Sequence, residues 1–250
     1  MTTRLYDRAR ELFERGELMH RQLDAVILAA GAGSRLAGIV PTGMKPLVVV
    51  NGEALIARLA RQARSFVTGR LIVVVSPTNA APIVDLLARV DRRDIDYVVQ
   101  PTPAGPGEAL LRGLALASSP YTLVLAGDNW MPDAAVTSVV YAAPLGCAVG
   151  VRVVGEPDVA RRFTRFREHN AHGPSLECDE GPDLRWPGPW TVWCGPLVLP
   201  TENAKAVLTT IVRNRGDNEA KIGPYIGSLG GSAALVPVDA QDIGTPEALT

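Results

Sequence analysis

A chain of 250 residues with 25 basic and 26 acidic side chains has a net charge of -1 and no surplus of positive charge for neutralising phosphates, so no nucleic-acid partner is expected. With 47% hydrophobic residues, 24 glycines and 20 prolines, it reads as a turn-rich globular protein long enough to bury a core. Three cysteines and three histidines without CxxC or HxxxH spacing exclude a structural zinc site, no apolar run approaches the roughly 20 residues that span a bilayer, and a start without a secretory pattern points to the cytoplasm.

Residues 4–22 set Leu5, Ala9, Leu12 and Phe13 near helical spacing among Arg and Glu. This predicts an amphipathic helical extension over residues 1–22, packed on the main domain or on a second subunit, which leaves a homo-oligomer open. From Leu23 onward strand and helix patterns alternate. Buried strands are predicted at LDAVILAA (23–30), RLIVVVS (70–76), IDYVVQ (95–100) and YTLVLAGD (121–128), with helices at 53–66, 81–90 and 107–118 between them. Beyond residue 140 a strand is predicted at 146–155, hairpins or a lid in the turn-rich segment 168–190, and a strand at 191–200. A helix at 201–214, a strand at 232–239 and a terminal helix from Asp242 follow.

Continuous β-branched runs between helices require a sheet covered on both faces. The fold class is therefore α/β, a three-layer αβα Rossmann-like domain over 23–250 with a mostly parallel, mixed sheet. In such sheets ligands gather at the carboxyl ends of the strands, which places AAGAGSR and AGDN on one rim.

The first of these is LAAGAGSRLAGIVPTGMKPL, residues 28–47. A dinucleotide-binding turn needs a third glycine, where Leu36 stands instead. A P-loop needs GK[ST], which Met44 and Pro46 break. What remains is a pair of glycines, Gly31 and Gly33, that let backbone N–H groups close on a polyanion. Arg35 adds a planar donor fork and Lys45 a point charge, a combination suited to holding a triphosphate in two places.

This stretch resembles the signature of the sugar-1-phosphate nucleotidylyltransferases, LAAGxGxRL, a gap, then PK-P-L, except that Met44 stands where the family usually has proline. The resemblance extends through most of residues 23–250 and implies a nucleotidyltransferase fold. Residues 23–135 would form the nucleotide-binding half and 136–250 the acceptor-binding half. It implies that Leu28, Ala30, Gly31, Ala32 and Gly33 line the nucleotide. Arg35 would stabilise the leaving pyrophosphate, and Lys45 would lie near the α-phosphate and the acceptor phosphate.

Gln100 ends a strand before a proline-rich turn and presents both a donor and an acceptor, which suits a pyrimidine edge. QPTPAGPGEA is similar to a segment of glucose-1-phosphate thymidylyltransferases, which implies that Gln100 and Gly105 contact the base and favours dTTP or UTP. Pro106 and Glu108 depart from that pattern. Asp128, after a buried strand, is positioned to hold Mg²⁺ beside substrate phosphates, and GDN resembles the same enzymes. Asp242 before Gly-Thr-Pro is the second metal ligand that the resemblance implies, and Asp128 also touches the nucleotide.

On the acceptor side the family carries a Glu-Lys-Pro segment, whose nearest match here, Glu177–Pro182, has no lysine. Glu180 and Gly195 are the acceptor-binding candidates. The expected reaction joins NMP from an NTP to a sugar 1-phosphate with release of pyrophosphate and requires Mg²⁺. Two alternatives are a cytidylyl- or guanylyltransferase acting on a non-sugar phosphate or phosphonate, and a non-catalytic nucleotide-sugar-binding regulatory module. Because the chain ends after DIGTPEALT, no acyltransferase half like that of the bifunctional relatives is expected.

Overall fold

The computed structural model describes residues 22–31, 44–91, 93–143, 146–169, 175–216, 218–228 and 233–242, with His169, Ser175 and Asp242 as backbone only. The expectations for the N-terminal helix, for Ala32, Gly33 and Arg35, and for the terminal helix after Asp242 lie outside the described residues. The first half of the chain runs β1 (Leu23–Leu28), β2 (Val49–Val50), β3 (Glu53–Ala54), α1 (Leu55–Arg64), β4 (Leu71–Val75) and α2 (Ala80–Val90). It continues through β5 (Asp96–Val99), α3 (Pro106–Leu114), β6 (Tyr121–Ala126), β7 (Asn129–Trp130) and α4 (Asp133–Ala142). The second half adds β8 (Cys147–Val154), α5 (Pro157–Ala160), β9 (Arg165–His169), β10 (Ser175–Asp179) and β11 (Trp190–Pro200). It ends with α6 (Thr201–Asn214), α7 (Gly223–Ser228), β12 (Ala233–Pro237) and β13 (Gln241–Asp242).

The expected architecture is present. The main sheet runs β5-β4-β1-β6-β11-β8-β12, and β11 alone in that row opposes the others. Period-2 alternation divides the core. Ala25, Ile27, Val73 and Leu125 face α1, α2 and α4, whereas Val26, Ile72, Val74 and Val124 face α3, α6 and α7. Strands buried on both faces are what their unbroken apolar runs demanded.

β11 is the long strand that organises the second half of the chain. Along one side it pairs with β8; along the other its end, Leu197–Pro200, pairs with β6 and its start, Thr191–Val192, with β9. Because β11 is antiparallel to β6, its start and the β9–β10 hairpin project past the carboxyl end of β6. The turn-rich 168–190 segment is thus a hairpin followed by a loop. Arg165, fully buried, binds that loop: it donates to Asp179 Oδ2 (2.9 Å) and to the carbonyls of Ala160, Gly181 and Asp183.

Two boundaries differ from the sequence reading. The helix expected from residue 53 starts at Leu55, because Glu53–Ala54 pair with Val49–Val50 around Asn51 (φ 52°) and Gly52 (φ 82°). Two positive φ angles in an Asn-Gly loop define a tight hairpin turn that overrode the helical periodicity. The helix expected over 107–118 covers Pro106–Leu114, with proline at its first position where the missing N–H costs nothing.

Asp24 anchors the opposite end of β1. Its carboxylate, fully buried, accepts backbone N–H bonds from Arg70 (2.5 Å), Ser118 (2.7 Å) and Ser119 (2.7 Å). Burial, the largest influence, pushes the carboxyl up, but the hydrogen bonds from Ser119, Arg70 and Ser118 together hold it below its ordinary 3.8. A depressed folded-state value means stability present in full above the unfolded value and lost as pH falls through the folded one. Asp24→Asn is therefore expected to cost about 2–3 kcal/mol near neutrality. Urea melts at several pH values should show that difference constant from about pH 5 to 7 and shrinking below about pH 4.

Candidate active site

The parallel register sets β1 and β6 side by side to their last residues, Leu28 opposite Ala126. Gly127 then donates its N–H to the Leu28 carbonyl (2.9 Å), and a Cβ on Gly127 would lie 2.7 Å from that same oxygen. Only glycine lets the two strand ends converge so closely. On the other side Ala29 N–H bonds to Val74 O (2.8 Å). Asn79, 2% exposed, completes the clamp: its amide donates to Ala29 O (2.8 Å) and its Oδ1 accepts Ser76 N–H (2.8 Å). Ala30 is buried and Gly31 is exposed, so the chain emerges from the sheet there. Asn79 was not singled out in the sequence, because its partner lies 50 positions away.

Lys45 begins a short 3-10 turn, Lys45–Leu47, whose Pro46 is buried. Met44, at the position of the family's proline, is extended (φ -102°, ψ 97°) and its carbonyl accepts Leu47 N–H (3.0 Å). The Lys45 ammonium lies 3.0 Å from Asp128 Oδ2, with the side chains 13% and 35% exposed. Two candidates 83 positions apart thus meet on the rim.

The turn bearing Asp128 is tied down on several sides. Asn129 donates to Cys194 O (2.8 Å), and Arg58 donates through Nε and Nη2 to Met131 O (3.2 and 3.1 Å) while stacking 5.1 Å over Trp130. β7 pairs with β13, setting Asp242 opposite Asn129. The backbone of the second metal candidate therefore runs beside the Asp128 turn. Among the described residues no three metal-ligating side chains cluster.

Gln100 and Gly105 occupy the neighbouring strand end. Gln100 N–H bonds Val75 O (2.8 Å), while its side-chain amide nitrogen donates to Gly105 O (3.1 Å) and to Glu108 Oε2 (2.7 Å). Glu108 in turn pairs with Arg112. Gly105 sits at φ 89°, and a Cβ there would lie 2.6 Å from Ala220 O. The 218–221 segment is stitched to this turn by Ala220 N–H to Ala104 O (2.8 Å) and Gly107 N–H to Ala220 O (2.7 Å).

The next residue, Lys221, reaches Glu180 Oε1 at 3.3 Å, and Thr164 donates to Glu180 Oε2 (3.0 Å). The Glu177–Pro182 segment, which has no lysine of its own, thus gains one beside Glu180 from another segment. Glu180, Lys221 and Arg185 line a cleft of about 390 Å³ between α7 and β10. Gly195 is buried where the β11 register shifts, against Gly150, and its carbonyl accepts the Trp193 indole N–H (2.9 Å). Burial pushes the Cys147, Cys178 and Cys194 thiols up to about 12, so none supplies a thiolate nucleophile near neutral pH.

Residues 25–177, more than half the chain, match the family described as the MobA-like NTP transferase domain. The chain belongs to that family. The expectation of nucleotidyltransferase kinship is borne out. The bifunctional protein GlmU of Ralstonia pickettii is 30% identical over 209 residues, 79% of this chain and 42% of that protein. The chain spans less than half the length of this and other curated relatives it matches. Two solved structures share the fold. A putative glucose-1-phosphate thymidylyltransferase from Bacillus anthracis superposes with a TM-score of 0.74 at 19% identity, over 91% of this chain and 92% of that one. The inositol-1-phosphate CTP transferase from T. maritima gives 0.72 at 14% identity, over 92% of each chain.

In this NTP transferase domain the Asn79 clamp sets where the glycine turn starts. Asn79→Ala strips the protein partners from Ala29 O and Ser76 N–H and is expected to cost about 2 kcal/mol in denaturant melts. It should also weaken triphosphate binding several-fold in a direct titration. Unchanged affinity would detach the clamp from anion binding.

Proposed function

We propose that this domain transfers a nucleoside monophosphate from an NTP, dTTP or UTP by preference, to a sugar 1-phosphate, releasing pyrophosphate with Mg²⁺. The observation that carries this reading is the approach of Lys45 to Asp128, 3.0 Å, at the joined ends of β1 and β6. A cation beside a partly exposed carboxylate, near where the chain leaves the sheet at Gly31, suits in-line attack on an α-phosphorus. Phosphoryl chemistry asks for positioning and charge neutralisation rather than a covalent nucleophile.

In this scheme the backbone from Leu28 to Gly33 wraps the triphosphate, and Arg35 holds the β- and γ-phosphates as they depart. Lys45 leaves Asp128 to bridge the α-phosphate and the attacking acceptor oxygen. Asp128 and Asp242 fit a hard divalent cation by chemistry: oxygen donors on adjoining backbone segments. When bound, Mg²⁺ would neutralise charge on the α-phosphate and the leaving group. Gln100 and Gly105 would meet the base, and the acceptor would lie toward Glu180 and Lys221. The projection of β11, β9 and β10 past the end of β6 supports an acceptor side there. Three free thiols suit a reducing compartment, the cytoplasm in this reading, and no described helix is long and apolar enough to cross a membrane.

The test is pyrophosphate release from five NTPs against a panel of sugar 1-phosphates and other phosphomonoesters. A sugar 1-phosphate paired with UTP or dTTP should turn over best. Preferred turnover of CTP or GTP on a non-sugar phosphate would replace this reading with that of an alcohol-phosphate nucleotidyltransferase. No turnover with any pair would leave a binding module. Asp128→Asn should lower kcat by about 100-fold or more with an unchanged melting temperature. Near-normal turnover would remove Asp128 from the metal site.

A further inference from the structure

Glu108 lies buried on the first turn of α3, where it serves no capping bond and is spent entirely on side chains. One of its oxygens takes the Gln100 amide; the other takes Arg112 Nε. The Gln100 nitrogen also donates to the Gly105 carbonyl, so its two N–H bonds go to two acceptors. Neither a carboxylate paired with an arginine nor a backbone carbonyl can donate in return. A flipped amide would press its oxygen against both of them, so one orientation is enforced.

We propose that Glu108, held by Arg112, is a positioning residue that makes Gln100 present only its carbonyl oxygen, and that this selects nucleotides whose base carries a ring N–H on its Watson–Crick edge. The inference rests on the reading that Gln100 meets the base. A glutamine alone offers a donor and an acceptor and discriminates poorly. Fixed as an acceptor and set opposite the ring-nitrogen position rather than an exocyclic amine, it pairs with the N3–H of uracil or thymine and the N1–H of guanine. The same position in cytosine and adenine is a bare nitrogen lone pair, which would face the glutamine oxygen with no proton between them. Leaving such a pair unsatisfied in a closed site is costly, whereas a matched pair is not. The device is local to this chain's own turn, where Gly105, at φ 89°, accepts the Gln100 amide through its carbonyl.

The experiment measures equilibrium affinities for UTP, dTTP, GTP, CTP and ATP in the wild type and in Glu108→Gln, with far-UV circular dichroism melts of both. A glutamine at 108 can turn either end of its amide toward Gln100, so the enforced orientation is lost. The wild type should bind its best ring N–H nucleotide at least about 10-fold more tightly than CTP or ATP. In Glu108→Gln that ratio should fall to about 3-fold or less, mainly because CTP or ATP binds better. A purely structural role for Glu108 would instead weaken all five alike. Two results overturn the proposal: a folded Glu108→Gln with the wild-type ranking, or a wild type that itself prefers CTP or ATP. The second needs no variant. Failure of every triphosphate to bind overturns the nucleotidyl-transfer reading itself.

Discussion

The geometry of this domain depends on how closely two parallel strands finish together. Gly127 N–H reaches the Leu28 carbonyl at 2.9 Å, and a side chain at 127 would collide with that oxygen. Because β1 and β6 end in register, the glycine turn after one and the aspartate turn after the other start within a single hydrogen bond of each other. Further restraints act on those two exits. Asn79 pins the first from the β4 side, while Arg58 and Asn129 pin the second from α1 and β11. The buried Asp24 carboxylate secures the other end of β1.

Magnitudes separate the charges that hold the fold from those the proposed reaction would use. Arg165 and Asp179 are almost wholly buried; Arg165 donates to Asp179 and to three carbonyls, and Asp179 also accepts from Arg185, so the pair fixes the loop beyond β10. Lys45 and Asp128 are different: the carboxylate is 35% exposed, and among the described residues no network comparable to that of Arg165 surrounds the pair. A partly solvated pair of this kind contributes about 0–1 kcal/mol to stability. In the proposed reaction the same two groups, directed at a phosphate and a divalent cation, would each contribute about 3–4 kcal/mol of transition-state stabilisation. On that proposal the larger quantity accounts for the arrangement.

The fold was legible because both-face burial leaves unbroken apolar runs, and the runs at 23–30, 70–76 and 121–128 became β1, β4 and β6. The Asn51–Gly52 hairpin carried its own local signal, yet the helical spacing of 53–66 masked it. The Lys45–Asp128 meeting was legible through motifs that bracket the strands. Asn79, Glu108 and Lys221 were not, since each acts on a partner outside its own pattern: Ala29, Gln100 and Glu180 respectively. Gln100 was half legible. Its position was read from the strand end, but that its donor is already engaged depends on Glu108, eight residues on and within the first turn of α3.

The central claim is that this rim divides a triphosphate between its α and β phosphorus atoms and passes the α-phosphate to a second phosphate. Phosphorus-31 NMR of the full chain with Mg²⁺, an NTP and the best acceptor from the panel tests it most directly. The account predicts loss of the β resonance of the NTP, appearance of pyrophosphate, and two coupled signals of a new diphosphate diester. Release of inorganic orthophosphate with a nucleoside diphosphate left behind would mean cleavage at the γ-phosphorus and would contradict it.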